Sequence, residues 1–236
     1  VLDVDTNPAS PVIGDRSFGT GAEIVEKHGL AFARGLARGG VRPCAKHFPG
    51  HGDASLDSHV ALPRVAHALE RLRDVEMAPF AAYARANLGP IMTAHVVYPA
   101  LDPDSPATTS AMAISGELRG RLGFSGAVIT DDLEMGAVSQ GLGAPEAAVR
   151  ALRAGADGLL VCRSREVREA VVEAVAREAG REAAFEARLR EAVSRLAALR
   201  PESRAVPSSA WLDSDEHASM RDGLLSRLRG AGEERS

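Results

Sequence analysis

The stretch Lys46–His59, KHFPGHGDASLDSH, gathers three His, two Asp and a Lys into one segment, with Pro49, Gly50 and Gly52 setting turns between them. Side chains that exchange protons near neutrality, brought together on a turn-rich segment, are the raw material of acid–base catalysis. A solvated loop is the plainer reading of any polar stretch, and the density of titratable groups weighs against it here. Within the segment, Asp57-Ser58-His59 is the sharpest feature. On an extended loop, residues two apart project to one side. Asp57 can then accept from one imidazole nitrogen of His59 and leave the other free to exchange a proton. A carboxylate partner also favours the protonated imidazole, which is the equipment of a general acid/base. A bare D-x-H by itself recurs by chance.

A second candidate is Thr130-Asp131-Asp132-Leu133, at the end of an apolar run. Adjacent residues at a strand end point to opposite sides, so one carboxylate is expected to face a pocket and the other a helix or a backbone cap. The pocket-facing acid reads as a nucleophile or a metal ligand, and the alternative is that both simply cap the next helix. His95, in TAHVVYP, also falls at a strand end, as a site residue or as a satisfied structural one. His28, His67 and His217 sit in polar, helix-like contexts and read as surface residues. Cys44 and Cys162 lie far apart in apolar segments and read as reduced core residues.

The elements that must carry these groups follow from periodicity. Near-continuous apolar runs at Val1–Asp5, Val41–Phe48, Pro90–Tyr98, Gly126–Leu133 and Gly158–Cys162 suit parallel strands covered on both faces. Helical spacing of apolar residues marks Ala22–Leu36, Ala68–Ala86 and Pro145–Ala154, followed by charged, Ala-rich helices at Arg163–Ala179 and Glu182–Leu199. Pro201–Pro207 reads as a linker, and Ser214–Leu228 as a last amphipathic stretch before a polar tail. This alternation predicts a parallel α/β fold whose strand ends hold the active site. Five strands do not close a (β/α)8 barrel. The start inside an apparent strand leads us to expect an incomplete TIM-barrel-like fold with N-terminal strands missing.

Composition narrows the partners. The 236 residues are 45% hydrophobic and 25% charged, with a net charge of −4 and both signs scattered. That argues against a nucleic-acid partner, and no run of 18 apolar residues offers a membrane span.

The motif KHFPGHGDASLDSH resembles the K-H-F-P-G-H-G-x4-D-S-H signature of bacterial family 3 glycoside hydrolases, the β-N-acetylhexosaminidases of the NagZ type. NPASPVIGDRSFG, IMTAHVVYPALDP and GFSGAVITDDLEMGAV resemble their counterparts in the same order. The resemblance runs strongly from Val1 to Cys162 and loosely beyond. It implies that residues 1–200 are part of a catalytic barrel and that 201–236 form a helical, polar tail. It implies that Asp131 is the nucleophile, His59 the acid/base and Asp57 its partner, and that Arg16, Lys46 and His47 hydrogen-bond the sugar. The implied reaction is retaining hydrolysis of terminal β-linked N-acetylglucosamine, with no cofactor and no metal. A carbohydrate such as a peptidoglycan fragment is the partner, and a monomer in the cytoplasm is expected. Retaining enzymes commonly pair two carboxyl groups roughly 5 Å apart; here a His–Asp dyad would replace one. Family members carry a further segment before the equivalent of Val1, with a D-Q-E-G-G-R type loop that binds the sugar. This chain alone is therefore expected to be poorly stable and nearly inactive.

Three other readings share these residues. A metal-dependent barrel hydrolase could draw zinc ligands from His47, His51, His59, His95 and Asp131, although Phe48-Pro49-Gly50 breaks helical presentation of the first two. A non-catalytic sugar-binding relative would not need Asp131 together with Asp57 and His59. A phosphorylase would use the same site with phosphate in place of water.

Overall fold

The computed structural model describes residues 1–7, 10, 12–54, 62–139, 141–200 and 214–233. The chain divides into two compact units, Val1–Arg200 and Pro201–Ser236.

The first unit is built on a four-stranded, wholly parallel sheet of β1 (Ala45–Phe48), β2 (Ile91–Thr93), β5 (Val128–Asp132) and β6 (Gly158–Leu160), ordered β1-β2-β5-β6. Phe48 lies opposite Thr93, and Asp132 opposite Leu160, so the C-terminal ends of the strands share one edge. Each strand lies beside the next one in sequence that belongs to this sheet, as in a singly wound sheet, and among the described residues the sheet does not close on itself. The α/β class expected from the sequence is therefore present, with an open parallel sheet.

Helices account for the spacing between strands. In α1 (Ala22–Arg38), Val25, Gly29, Leu30 and Ala33 form one buried stripe. The expected helix Ala68–Ala86 is broken into α2 (Leu69–Arg71), a π-helical turn at Leu72–Glu76 and α3 (Ala78–Ala86), which ends on the left-handed Asn87. Between β2 and β5 the chain makes a π-helix, Met112–Arg121. Then α4 (Gly136–Ser139) and α5 (Ala144–Ala154) lead to β6, and α6 (Arg165–Ala179) and α7 (Ala183–Ala197) follow it. The small side chains of Ala147, Ala148 and Ala151 are fully buried on α5. In the second unit, α8 (Asp215–Glu233) starts with Ser214 Oγ accepting from His217 N at 3.2 Å. Among the described residues no helix is long and apolar enough to cross a membrane.

Several expectations are corrected. Val1–Asp5 is not a strand: Leu2 N donates to the Lys46 carbonyl at 2.6 Å, but Asp5 N turns away to Gly19 O at 3.0 Å, so no ladder forms. The run Pro90–Tyr98 is two strands, β2 and β3 (Val97–Tyr98), and β3 pairs antiparallel with β4 (Asp102–Pro106). A continuous apolar run hides this break, because Ala94, His95 and Val96 are as buried as the strands they separate. Both cysteines are free, as expected, yet Cys162 is exposed and Cys44 only partly buried, so neither is a core residue.

The end of the sheet away from the shared C-terminal edge is held by one acid. Asp157, just before β6, accepts from Val128 N (2.9 Å) and Arg119 (2.6 Å) through Oδ2, and from Arg188 (2.6 Å) and Arg195 (3.1 Å) through Oδ1. The carboxylate is fully buried, and three guanidiniums offset its desolvation while tying the π-helix and α7 to the sheet.

Candidate active site

The polar groups singled out from the sequence converge on the C-terminal edge of the sheet. At the end of β1 the chain passes through Lys46, His47, Phe48, Pro49, Gly50, His51 and Gly52, with cis peptide bonds at Lys46–His47 and Phe48–Pro49. Two glycines make this path possible. Gly50 has φ 138, and a Cβ there would stand 2.7 Å from Cβ of the buried Glu76. At Gly52 a Cβ would stand 1.8 Å from the Val4 carbonyl oxygen. The Tyr98 hydroxyl, buried on β3, donates to Gly50 O at 2.6 Å and fixes the turn from the other side.

The turn is organised from beneath by Asp3. Its fully buried carboxylate accepts from His51 N (2.7 Å) and His47 N (3.1 Å) at Oδ1, and lies 2.8 Å from His47 Nδ1 at Oδ2. Burial alone would push this carboxyl up; the charge and hydrogen bond of His47, with the charge and backbone N–H of His51, outweigh it and bring it down to about 2. The His47 ring is thereby held with Nε2 3.8 Å from Oδ2 of Asp131. The His51 ring meets His47 edge-on with centroids 5.8 Å apart, and its burial lowers its proton affinity against the pull of Asp3.

The two acids at the end of β5 part company as strand alternation predicts. Asp131 Oδ1 accepts from Asp132 N at 2.8 Å, and its side chain remains 24% exposed, open to a ligand. Asp132 turns to the backbone, accepting from Glu134 N (3.1 Å) and Cys162 N (3.2 Å). Glu134 continues the clamp by accepting from Arg163 N at 2.6 Å and Ser164 N at 2.9 Å, joining the ends of β5 and β6.

His95 is a satisfied structural residue. Its Nε2–H donates to the Asp132 carbonyl (3.0 Å), which can only accept, and its Nδ1 lies 2.8 Å from the Thr108 hydroxyl, which also meets the Ala94 carbonyl at 3.0 Å. Burial lowers its proton affinity, against the pull of Asp131. It pins the strand end that carries Asp131.

Of the sequence-derived site residues, the structure brings Asp131 and His47 together; Lys46, half-buried, precedes His47 on β1. Arg16 ends the short turn Gly14–Arg16 and is exposed; among the described residues its side chain makes no hydrogen bond or ion pair. Asp57 and His59 lie outside the described residues. His28 is exposed in α1, whereas His67 is not in a helix: it lies half-buried before α2, with Nε2 2.7 Å from Asp53 Oδ2. Asp3 was missed by the sequence reading, which took it for part of a strand. A pair of acids two apart in an apolar run, Asp3 and Asp5, was the available signal.

Among the described residues no group of three or more His, Cys, Asp or Glu could hold a metal ion; His59, on which the zinc reading also drew, lies outside them. His95 commits both ring nitrogens to protein partners, and His47 commits Nδ1 to Asp3.

Comparison with known proteins gives this edge a context. The chain is 41% identical over 162 residues to a β-hexosaminidase of Neisseria gonorrhoeae, a match covering 69% of this chain and 44% of that protein. It is similar to the solved structure of a glycoside hydrolase family 3 β-N-acetylglucosaminidase from Paenibacillus (TM-score 0.82, 45% identity, 88% of this chain and 41% of that one). It is also similar to NagZ from Neisseria gonorrhoeae solved with N-trifluoroacetyl-D-glucosamine (TM-score 0.64, 40% identity, 70% and 47%). The chain thus spans about half the length of the curated relatives it matches. The profile of the glycosyl hydrolase family 3 N-terminal domain matches residues 1–199, and the chain belongs to that family.

Proposed function

We propose that this chain is part of a (β/α)8-type catalytic barrel of a retaining β-N-acetylglucosaminidase, and that Asp131 is its nucleophile. The observation that carries this reading is the placement of Asp131: a partly exposed carboxylate at the C-terminal end of a central parallel strand, with His47 Nε2 3.8 Å away and its neighbour Asp132 committed to the backbone.

In the proposed reaction, an Asp131 carboxylate oxygen attacks the anomeric carbon as the glycosidic C–O bond breaks. His59 gives its proton to the departing oxygen, and a glycosyl ester forms on Asp131. His59, oriented by Asp57, then takes a proton from water, whose oxygen attacks the same carbon and releases Asp131. Two inversions leave the configuration unchanged. Lys46, His47 and Arg16 hold the sugar hydroxyls. The substrate we favour is a peptidoglycan fragment ending in β-linked N-acetylglucosamine, processed in the cytoplasm by a monomer.

The test is stereochemical. Proton NMR of the first product formed from an aryl β-N-acetylglucosaminide by the whole protein is expected to show the β-anomer before mutarotation. An α-anomer as first product would exclude the double displacement, and with it the role given to Asp131.

A further inference from the structure

Asp3 takes no part in the chemistry just described, yet it is the most fully engaged acid at this edge of the sheet. Its carboxylate is completely buried, and its hydrogen-bond partners are the backbone N–H groups of His47 and His51 and the Nδ1 atom of His47. An ionised carboxylate can only accept, so the contact at 2.8 Å demands a proton on His47 Nδ1. In its charged form the ring lowers the pKa of the Asp3 carboxyl; in its neutral form it has one ring proton. With that proton at Nδ1, the atom 3.8 Å from Asp131 Oδ2 is a bare acceptor. Two acceptors at that distance do not bond to one another; the opening between them suits a hydroxyl that donates into it.

We propose that Asp3 is a positioning residue, which locks His47 in the Nδ1–H tautomer so that Nε2 accepts from a hydroxyl of the sugar seated at Asp131. The proposal rests on the reading of Asp131 and His47 as substrate-facing residues. It adds a specific recognition rule: the hydroxyl that meets His47 donates its hydrogen to the protein, so a substrate bearing a fluorine or an ether there loses the interaction. The two backbone amides matter equally. By accepting from His47 N and His51 N, the same carboxylate sets the path of the turn that carries the ring, so position and protonation are fixed by one group.

The test is long-range 1H–15N NMR of the histidine rings in the whole protein, with the His47 signals identified by their loss in His47→Gln. The expected spectrum shows a protonated Nδ1 and an unprotonated Nε2 for His47. A proton on Nε2, or on both nitrogens, overturns the proposal without recourse to any variant. In Asp3→Asn, a carboxamide whose oxygen stays on the backbone amides turns its NH2 toward Nδ1. The His47 proton is then expected to move to Nε2, with kcat/KM in the whole protein falling about 10- to 100-fold. An unchanged tautomer in a folded Asp3→Asn protein also overturns it. The spectrum does not depend on which residue is the nucleophile. Failure of the tautomer assignment with Asp131 still labelled by a trapped sugar would remove the Asp3 proposal alone. Label elsewhere with the expected tautomer would remove the reading of Asp131 and leave the ring assignment standing.

Discussion

Asp131 and Asp132 are neighbours on β5 with opposite fates: the first lies 3.8 Å from His47 and partly open, and the second accepts from the backbone N–H groups of Glu134 and Cys162. The division follows from strand geometry, in which successive side chains leave opposite faces. One acid is thereby available for chemistry, and the other fastens β5 to β6.

Asp131→Asn keeps the shape of the site and removes the attacking charge. In the whole protein, kcat on an aryl N-acetylglucosaminide is expected to fall by roughly 10³-fold or more with KM little changed. Asp132→Asn is expected to act through stability and to cost far less in kcat. Steady-state kinetics of the two variants side by side, with thermal melts, check the contrast; equal losses in kcat would contradict it.

Acid should destabilise the fold in two windows. His51 and His95 are held below the ordinary imidazole value of 6.5 chiefly by burial. A group depressed in the folded state stabilises above its unfolded value, so their contribution fades as pH drops below about 6.5. Asp3, at about 2 in the folded chain against 3.8 ordinarily, contributes about 2 kcal/mol that is lost between about pH 4 and 2. Chemical denaturation as a function of pH is expected to show both declines, with the lower one missing in Asp3→Asn.

Asp157→Ala removes the buried acceptor shared by Arg119, Arg188 and Arg195 and leaves three partly buried guanidiniums without their counter-charge. A loss of about 3–5 kcal/mol is expected, measured as a shift of the urea midpoint. A loss under about 1 kcal/mol, the range of exposed pairs, would show that the cluster does not tie α7 to the sheet.

Gly52→Ala places a methyl group against the Val4 carbonyl, 1.8 Å away before relaxation. The turn and the segment carrying Asp3 must then separate, so both stability and turnover are expected to fall. By contrast, Gly35→Ala, with open space around the added methyl in α1, is expected to be neutral or mildly stabilising. Melting temperatures of the pair give the comparison, and similar melting temperatures for both variants would contradict the close packing of the turn.

Much of the site was legible in the sequence because its parts are local. The density of His and Asp after Val41–Phe48, the two acids closing Gly126–Leu133 and the strand-end rule led to the edge where Asp131 and His47 meet. What escaped is what depends on tertiary contact. Asp3 reads as one of two acids in an apolar run, and its role exists only because the chain lies beside the His47 turn 44 residues later. The hairpin of β3 and β4 escaped because Asp102–Pro106, with its Pro and Asp content, carries no strand pattern of its own and pairs only through its position after Tyr98. The helix Met112–Arg121 escaped because Gly116 and Gly120 interrupt it and its apolar residues form no clear stripe.

The proposed mechanism turns on one covalent bond, between the anomeric carbon and Asp131. Incubating the whole protein with a 2-acetamido-5-fluoro glycosyl fluoride, digesting it and sequencing the labelled peptide by mass spectrometry tests that bond directly. The sugar is expected on Asp131, within the peptide that includes Thr130 to Met135. A sugar found on any other residue would contradict the assignment.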